Sequence, residues 1–372
     1  MYATSLSALV SSYALADNEE DETLPSKQMR TITPSESPIV SHGVDAYVFA
    51  DFIYWTSRVD GIERLYSSSM SGYDRETIND GSSFELPKTD EISSSTHADY
   101  KLSPGFKVGA GLNFDYDGWD TLINYTWLHN KAHSTTTYGS NQLISDTFSI
   151  DLKNILVFED RNVTVDRSHN NWYLHFNAID WQLGRNFYIS QKLLLRPFGA
   201  LKGSWQKQYF ETNDTYITLG TVLTDKTKDN AKTIYSSYND QHFWGVGVMA
   251  GVNSSWKLTN DFSIFVNTAV SNLWGQFKNT KKSSISYNED STIKLDAVYQ
   301  ELSKEYQSLH TISPVLELML GLRYDYKFSN DDYRIRLEAG WEEQVWFNHN
   351  HFNKQFGNLN LQGFTLQARF DF

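Results

Sequence analysis

The chain contains no cysteine, so disulfides, thiolate zinc sites and cysteine nucleophiles are excluded from the outset. It also lacks any apolar run near the roughly 18 to 20 residues that a spanning helix requires, and its mean hydropathy is -0.49. Lipid leaves no backbone group unpaired except in a helix or a closed sheet, so a chain of this kind can cross a membrane only as a barrel. Cations are in deficit too: 32 Lys and Arg against 45 Asp and Glu give a formal charge of -13 over 372 residues. Neutralising phosphates takes an excess of Lys and Arg on some face, so nucleic acid is disfavoured as a partner. No glycine-rich phosphate loop is present. Gly105, Gly109 and Gly111 fall inside a strand pattern, where small side chains let a barrel wall curve or leave lumen space.

Aromatic residues, by contrast, are abundant. With 22 Tyr, 22 Phe and 11 Trp they make up 15% of the chain, more than a soluble core usually needs and in keeping with their heavy use at membrane interfaces. The first sixteen residues, MYATSLSALVSSYALA, are mildly apolar and end in Ala14-Leu15-Ala16 ahead of an acidic stretch from Asp17 to Glu22. This pattern suggests a signal peptide over residues 1–16, although the usual Lys or Arg near the start is missing and a disordered N-terminus is the alternative. Residues 17–43 are polar and carry Pro25, Pro34 and Pro38 without periodicity, so a flexible periplasmic leader is expected there. The acidic run lacks the spaced oxygen ligands of a calcium loop and reads as solvated.

From residue 44 to 372 the pattern is that of one all-β domain. Phe106, Val108, Ala110, Leu112 and Phe114 alternate with Lys107, Gly109, Gly111, Asn113 and Asp115. Asp117-Gly118 supplies a tight turn, and Trp119 to Trp127 alternate back. The same long hairpin recurs at about 172–205, 242–275 and 314–347. Between the hairpins lie long polar stretches, about 64–101, 134–171, 207–240 and 277–311. Short turns alternating with long loops are what a transmembrane antiparallel barrel of the outer membrane shows, with the turns periplasmic and the loops external. A first strand near Tyr47–Val59 and a last from Leu361 to Phe372 give at least about ten strands, with roughly 12 to 16 possible. Trp119, Phe187, Phe262 and Tyr333 follow the turns and suggest one aromatic girdle; Trp127, Trp205, Trp274 and Trp346, toward the other strand ends, suggest a second. Phe370 and Phe372 end an alternating strand in the manner of the signal read by barrel-assembly machinery.

The segments Asp51-Phe52-Ile53-Tyr54-Trp55 with Asp60-Gly61, Pro104 to Gly109, Asp117-Gly118-Trp119-Asp120 and Tyr125 to His129 carry a family likeness. Asp180 to Arg185, Leu195-Arg196-Pro197-Phe198 and, more weakly, Gly245-Val246-Gly247 extend it. As an ordered series they resemble the Legionella-type major outer membrane protein family and the related porin-like proteins of chlamydia-related bacteria. The resemblance implies a pore-forming barrel of the bacterial outer membrane. Chlamydial major porins are rich in cysteine and cross-linked by disulfides, so the cysteine-free chain puts a cross-linked structural role in doubt.

If the apolar set faces lipid, the opposite set lines a lumen: Lys107, Asn113, Asp115, Asn124, Thr126, Lys192, Arg196 and Lys202, then Glu317, Arg323, Asp325, Arg334, Arg336, Glu338, Glu342, Gln367 and Arg369. Both signs occur in roughly equal numbers, which favours passive diffusion of small hydrophilic solutes past a transverse field. A narrow barrel plugged by its own ion pairs, structural or adhesive, is the alternative, and ten strands would make it serious. An enzyme is the third class. His129 and His133 merely repeat one face of a strand, and His349 with His351 read as part of a solvated loop, so no catalytic, metal or cofactor site is expected. Outer-membrane lipid and lipopolysaccharide, the assembly machinery and a possible homo-oligomer are the partners this reading implies.

Overall fold

The computed structural model describes residues 44–60, 64–77, 83–96, 99–137, 142–146, 162–219, 230–288, 298–328, 333–352 and 357–372. The signal-peptide and leader segments, residues 1–43, lie outside them. In chain order the strands are β1 (Val44–Val59), β2 (Arg64–Thr77), β3 (Ser83–Thr96), β4 (Asp99–Tyr100), β5 (Ser103–Phe114), β6 (Trp119–Thr137), β7 (Gln142–Asp146), β8 (Asn162–Arg185), β9 (Phe187–Tyr188), β10 (Leu193–Leu219), β11 (Asn230–Lys257), β12 (Phe262–Asn288), β13 (Val298–Phe328), β14 (Tyr333–Asn350) and β15 (Gly357–Asp371). No described helix is long and apolar enough to cross a membrane.

Ten of these strands close into an antiparallel barrel in the order β1, β5, β6, β8, β10, β11, β12, β13, β14, β15, with β15 paired back to β1 from Tyr47↔Asp371 to Val59↔Leu359. Closure removes every open edge, which is the condition for a sheet in lipid. One row of paired residues leaves β13 at His310, runs through Gln276, Trp244, Trp205, Asn177, Trp127, Phe106, Phe52, Leu366 and Ala339, and returns to β13 at Leu322, a stagger of twelve residues. With a rise of about 3.3 Å per residue and a strand spacing of about 4.8 Å, that stagger over ten strands tilts them by about 40° and sets a backbone radius of roughly 10 Å. Little bore remains once side chains fill such a radius.

Local chemistry explains the short turns. Asp117 (φ 54°) and Gly118 (φ 72°) both take positive φ, and Trp119 N–H donates to the Tyr116 carbonyl at 3.1 Å. This is the two-residue turn whose twist suits a hairpin, and Asp-Gly is the pair that tolerates it. At the next turn the Ser190 hydroxyl accepts from the backbone N–H groups of Lys192 and Leu193, and Thr259 accepts from Phe262 N–H in the third.

Facing alternates along every wall strand. Val108, Leu112, Ile123, Ile179, Val248, Val270, Leu318, Leu320 and Leu337 point outward and are exposed. A contiguous apolar band of this kind is tolerated only against lipid or a partner. On β5 the small inward residues are occupied: a Cβ at Gly109 would strike the Phe49 ring and one at Gly111 the Tyr47 ring, so these glycines seat aromatic side chains rather than open space.

Two expectations about the loops are corrected. Residues 207–219, 230–240, 277–288 and 298–311 continue as strand, making β10 to β13 27 to 31 residues long, far beyond the roughly 9 to 11 that a bilayer needs. Their polar pairs hold the ladder together beyond the membrane: Thr212 donates to Asn170, Ser168 to Asp214, and Ser236 to Asn213. In addition β2, β3 and β7 form a separate three-stranded sheet, in the order β3, β2, β7, joining two of the long connections.

Candidate functional site: the barrel interior

The interior has two chemically distinct levels. Toward the turns it is charged, because the inward positions of β5, β6, β8, β10, β13, β14 and β15 carry ionisable residues. Lys107 on β5 reaches across to Glu342 on β14, with Nζ 2.5 and 2.7 Å from its two carboxylate oxygens. Thr365 donates to the same carboxylate at 3.1 Å, and Lys107 Nζ lies 4.7 Å from the centre of the Trp55 ring. Arg196 on β10 is held by Asp120 on β6 through Nε and a guanidinium NH2. Lys202, almost fully buried, bridges Asp180 on β8 and Glu317 on β13, 2.8 Å from each. Arg323 pairs with Glu338 and Arg336 with Asp325, while Arg334 and Arg369 share Asp371. Most of these charged groups line a cavity of about 220 Å³, with Lys202, Asp325 and Asp371 outside its lining.

Toward the loops the lumen is apolar. Ile53, Trp55, Leu128, Trp172, Phe176, Phe210, Phe243, Phe277, Val315, Trp346, Leu359 and Leu361 belong to one buried cluster contributed by wall strands all around the barrel. Into it fold the end of β14 and the two residues that follow it. The β14–β15 register breaks between Trp346 and Asn350, Asn348 takes a positive φ of 49°, and the backbone turns inward. His349 then lies among the rings of Phe243, Phe277 and Trp346, at 4.5, 5.1 and 5.1 Å between centroids. Its Nε2 contacts Gln206 Oε1 at 2.9 Å and its Nδ1 contacts Ser313 Oγ at 3.0 Å, a pattern that a neutral imidazole satisfies with one donor and one acceptor. Gln241 donates to the His349 carbonyl and accepts from His351 N–H, and Asn279 donates to the His351 carbonyl. Phe352 packs on Phe210 with centroids 6.1 Å apart. Residues 349–352 are thus tied to β10, β11, β12 and β13 across the lumen.

The expected lumen set distributes accordingly. Lys107, Asn113, Asn124, Thr126, Arg196, Lys202, Glu317, Arg323, Arg334, Arg336, Glu338, Glu342, Gln367 and Arg369 all border the cavity, apart from Lys202, which lies buried beside it, and Asp325 contributes through Arg336. Asp115 and Lys192 do not face the lumen. Each lies in a turn one residue outside its strand, exposed. Trp346 is the clear correction: expected in the outer girdle, it is fully buried inside, because even-numbered residues of β14 point inward and it shares that parity with Arg334, Glu338 and Glu342. His349 and His351 likewise are buried rather than solvated. Trp205, Trp274, Phe187, Phe262 and Tyr333 are exposed on the outer wall, with Trp119 and Trp127 half-exposed beside them. Phe370 and Phe372 face outward at the turn end, where Phe370 stacks on Tyr333. Sequence reasoning missed the inward acids Asp51, Asp120, Asp180 and Asp371, although strand parity with Asn124 and Arg369 marks at least Asp120 and Asp371.

A family model described as Legionella pneumophila major outer membrane protein precursor matches residues 48–372. The chain belongs to this family. It is therefore an outer-membrane protein, and the closed barrel is its membrane-spanning body. No curated protein matches it. Among solved structures, the Ralstonia pickettii toluene transporter TbuX is 9% identical over 90% of this chain and 92% of its own, with a TM-score of 0.26. A Pseudomonas aeruginosa FadL homologue is 7% identical over 89% and 90%, with a TM-score of 0.24. The P. putida toluene transporter TodX is 10% identical over 90% and 92%, with a TM-score of 0.22. At such TM-scores the likeness supports no inference, and the fold rests on this chain's own strand pairing. Among the described residues no group of three metal-ligating side chains occurs.

Proposed function

We propose that this protein is an outer-membrane channel for passive diffusion of small hydrophilic solutes, occluded at rest by residues 349–352. The observation that carries the reading is the nature of the cover. On the loop side of the charged cavity a returning stretch of backbone enters the lumen, held through side-chain hydrogen bonds from four strands, in addition to the wall itself. Its release would break these side-chain hydrogen bonds and the single β14–β15 pair Asn350↔Gly357 beyond the register break, leaving the rest of the barrel's ladder closed. Opposed cations and carboxylates in near-equal numbers below it favour hydrated, dipolar solutes over apolar ones.

A sealed structural barrel is the second reading. It is favoured by the cluster of aromatic and aliphatic side chains that the wall strands contribute to the same level. Solute flux into proteoliposomes separates the two. The channel reading expects slow flux of small sugars and ions through the wild type and faster flux through His349→Ala/Phe352→Ala. Folded barrels that admit neither solute in either form would establish the sealed one.

A further inference from the structure

The outer wall carries a row of basic side chains that the channel reading does not use. His129 on β6 pairs in register with His175 on β8, His175 with Lys207 on β10, Lys207 with His242 on β11, and His242 with Lys278 on β12. All five have outward parity, and His129, Lys207 and Lys278 are exposed. Because the strands tilt, the row crosses the wall obliquely. The next outward row toward the turns contains Trp127, Trp205 and Trp244, so the two lysines and three imidazoles sit immediately above aromatic residues that mark an interface between hydrocarbon and headgroups. His129 and His175 are in ring contact at 3.9 Å, and Trp127 stands 4.3 Å from His129. One acid intrudes on the row: Asp240 lies 2.9 Å from His242 Nε2.

The opposite face differs. There the outward aromatic row Trp341, Phe364, Tyr54 is followed toward the loops by Glu343, Gln362 and Thr56, without a cation. The basic row is therefore a property of one side and, running obliquely, it spreads over roughly 12 Å of depth from His129 up to Lys278, around the loop-side interface that the tryptophans mark. Lysine ammonium groups bind phosphate as point charges, and an imidazole offers an N–H donor even when neutral. We propose that this row is a docking surface for a lipid whose headgroup carries phosphate monoesters, as that of lipopolysaccharide does, with its acyl chains against the tryptophans and its phosphates on the basic residues. The proposal is independent of whether the lumen conducts.

The test uses the full barrel refolded in detergent and native mass spectrometry with three probes: bis-phosphorylated lipid A, the same lipid dephosphorylated, and inorganic phosphate as competitor. Retention of the phosphorylated lipid alone is expected from the wild type. Lys207→Gln/Lys278→Gln should weaken it roughly thirtyfold, from about a factor of five per lysine at the headgroup level, while Glu343→Gln leaves it unchanged. Heat-modifiable gel migration establishes folding of each variant. Equal binding of the dephosphorylated lipid, an unaffected double variant, or full displacement by millimolar inorganic phosphate would each overturn the proposal, the last by showing an anion site rather than a lipid site. The wild-type comparison of the two lipids stands even if a variant fails to fold.

Discussion

Replacing Lys202 by methionine removes the one cation between two carboxylates in the interior. The ammonium group lies 2.8 Å from both Asp180 and Glu317, with a side-chain exposure of 1%. Methionine fills nearly the same volume, so packing changes little and the loss is electrostatic. Breaking a buried pair by removing one partner costs about 3–5 kcal/mol, because the remaining charge is left without compensation. Here two acids are left facing each other across the lumen, which puts Lys202→Met at the upper end of that range. Adding Asp180→Asn and Glu317→Gln removes the uncompensated charges and should recover most of the loss, since replacing a whole buried ionic group by neutral residues is often close to neutral in stability. Reversible urea unfolding of the refolded barrel in lipid vesicles, followed by tryptophan fluorescence, reads both quantities. A loss below about 1 kcal/mol for Lys202→Met, a surface-pair value, would refute the inward placement of this triad. So would a triple variant no more stable than the single one.

Other consequences follow from facing and depth. Val108→Arg, in the outward apolar band, should destabilise by about 2–4 kcal/mol, and Leu102→Arg, on the same face near the loop end, by only about 0–1 kcal/mol; equal costs in the same unfolding assay would show that the band is not aligned with a bilayer. Trp346→Ala should cost about 3–5 kcal/mol as a buried large-to-small change, whereas Trp274→Ala on the outer wall should cost clearly less. If the two ranked the other way, Trp346 would belong to the girdle after all.

The hairpins were legible because their two faces differ in polarity and because Asp117-Gly118 is chemically committed to one turn. Charged lumen positions followed from parity once a strand was placed. Trp346 was misassigned when its aromatic character was weighed above the parity it shares with Arg334 and Glu338. Strands β10 to β13 were cut short for a different reason: beyond the membrane both faces are polar, so alternation fades while pairing continues. The folded-back segment was not legible at all. Asn348-His349-Asn350-His351 has the composition of a solvated loop, and its partners Gln206, Gln241, Asn279 and Ser313 come from four strands distant in sequence. Only the closed barrel brings them together. Its ten strands also sharpened the choice between channel and sealed barrel, since a radius of roughly 10 Å leaves the bore to be decided by side chains.

Single-channel recording in planar bilayers tests the central claim most directly, comparing the refolded wild type with His349→Ala/Phe352→Ala. The channel account predicts discrete steps that are rare in the wild type, and more frequent or larger in the variant. Two well-folded, heat-modifiable barrels that never conduct would contradict it and leave a sealed barrel in its place.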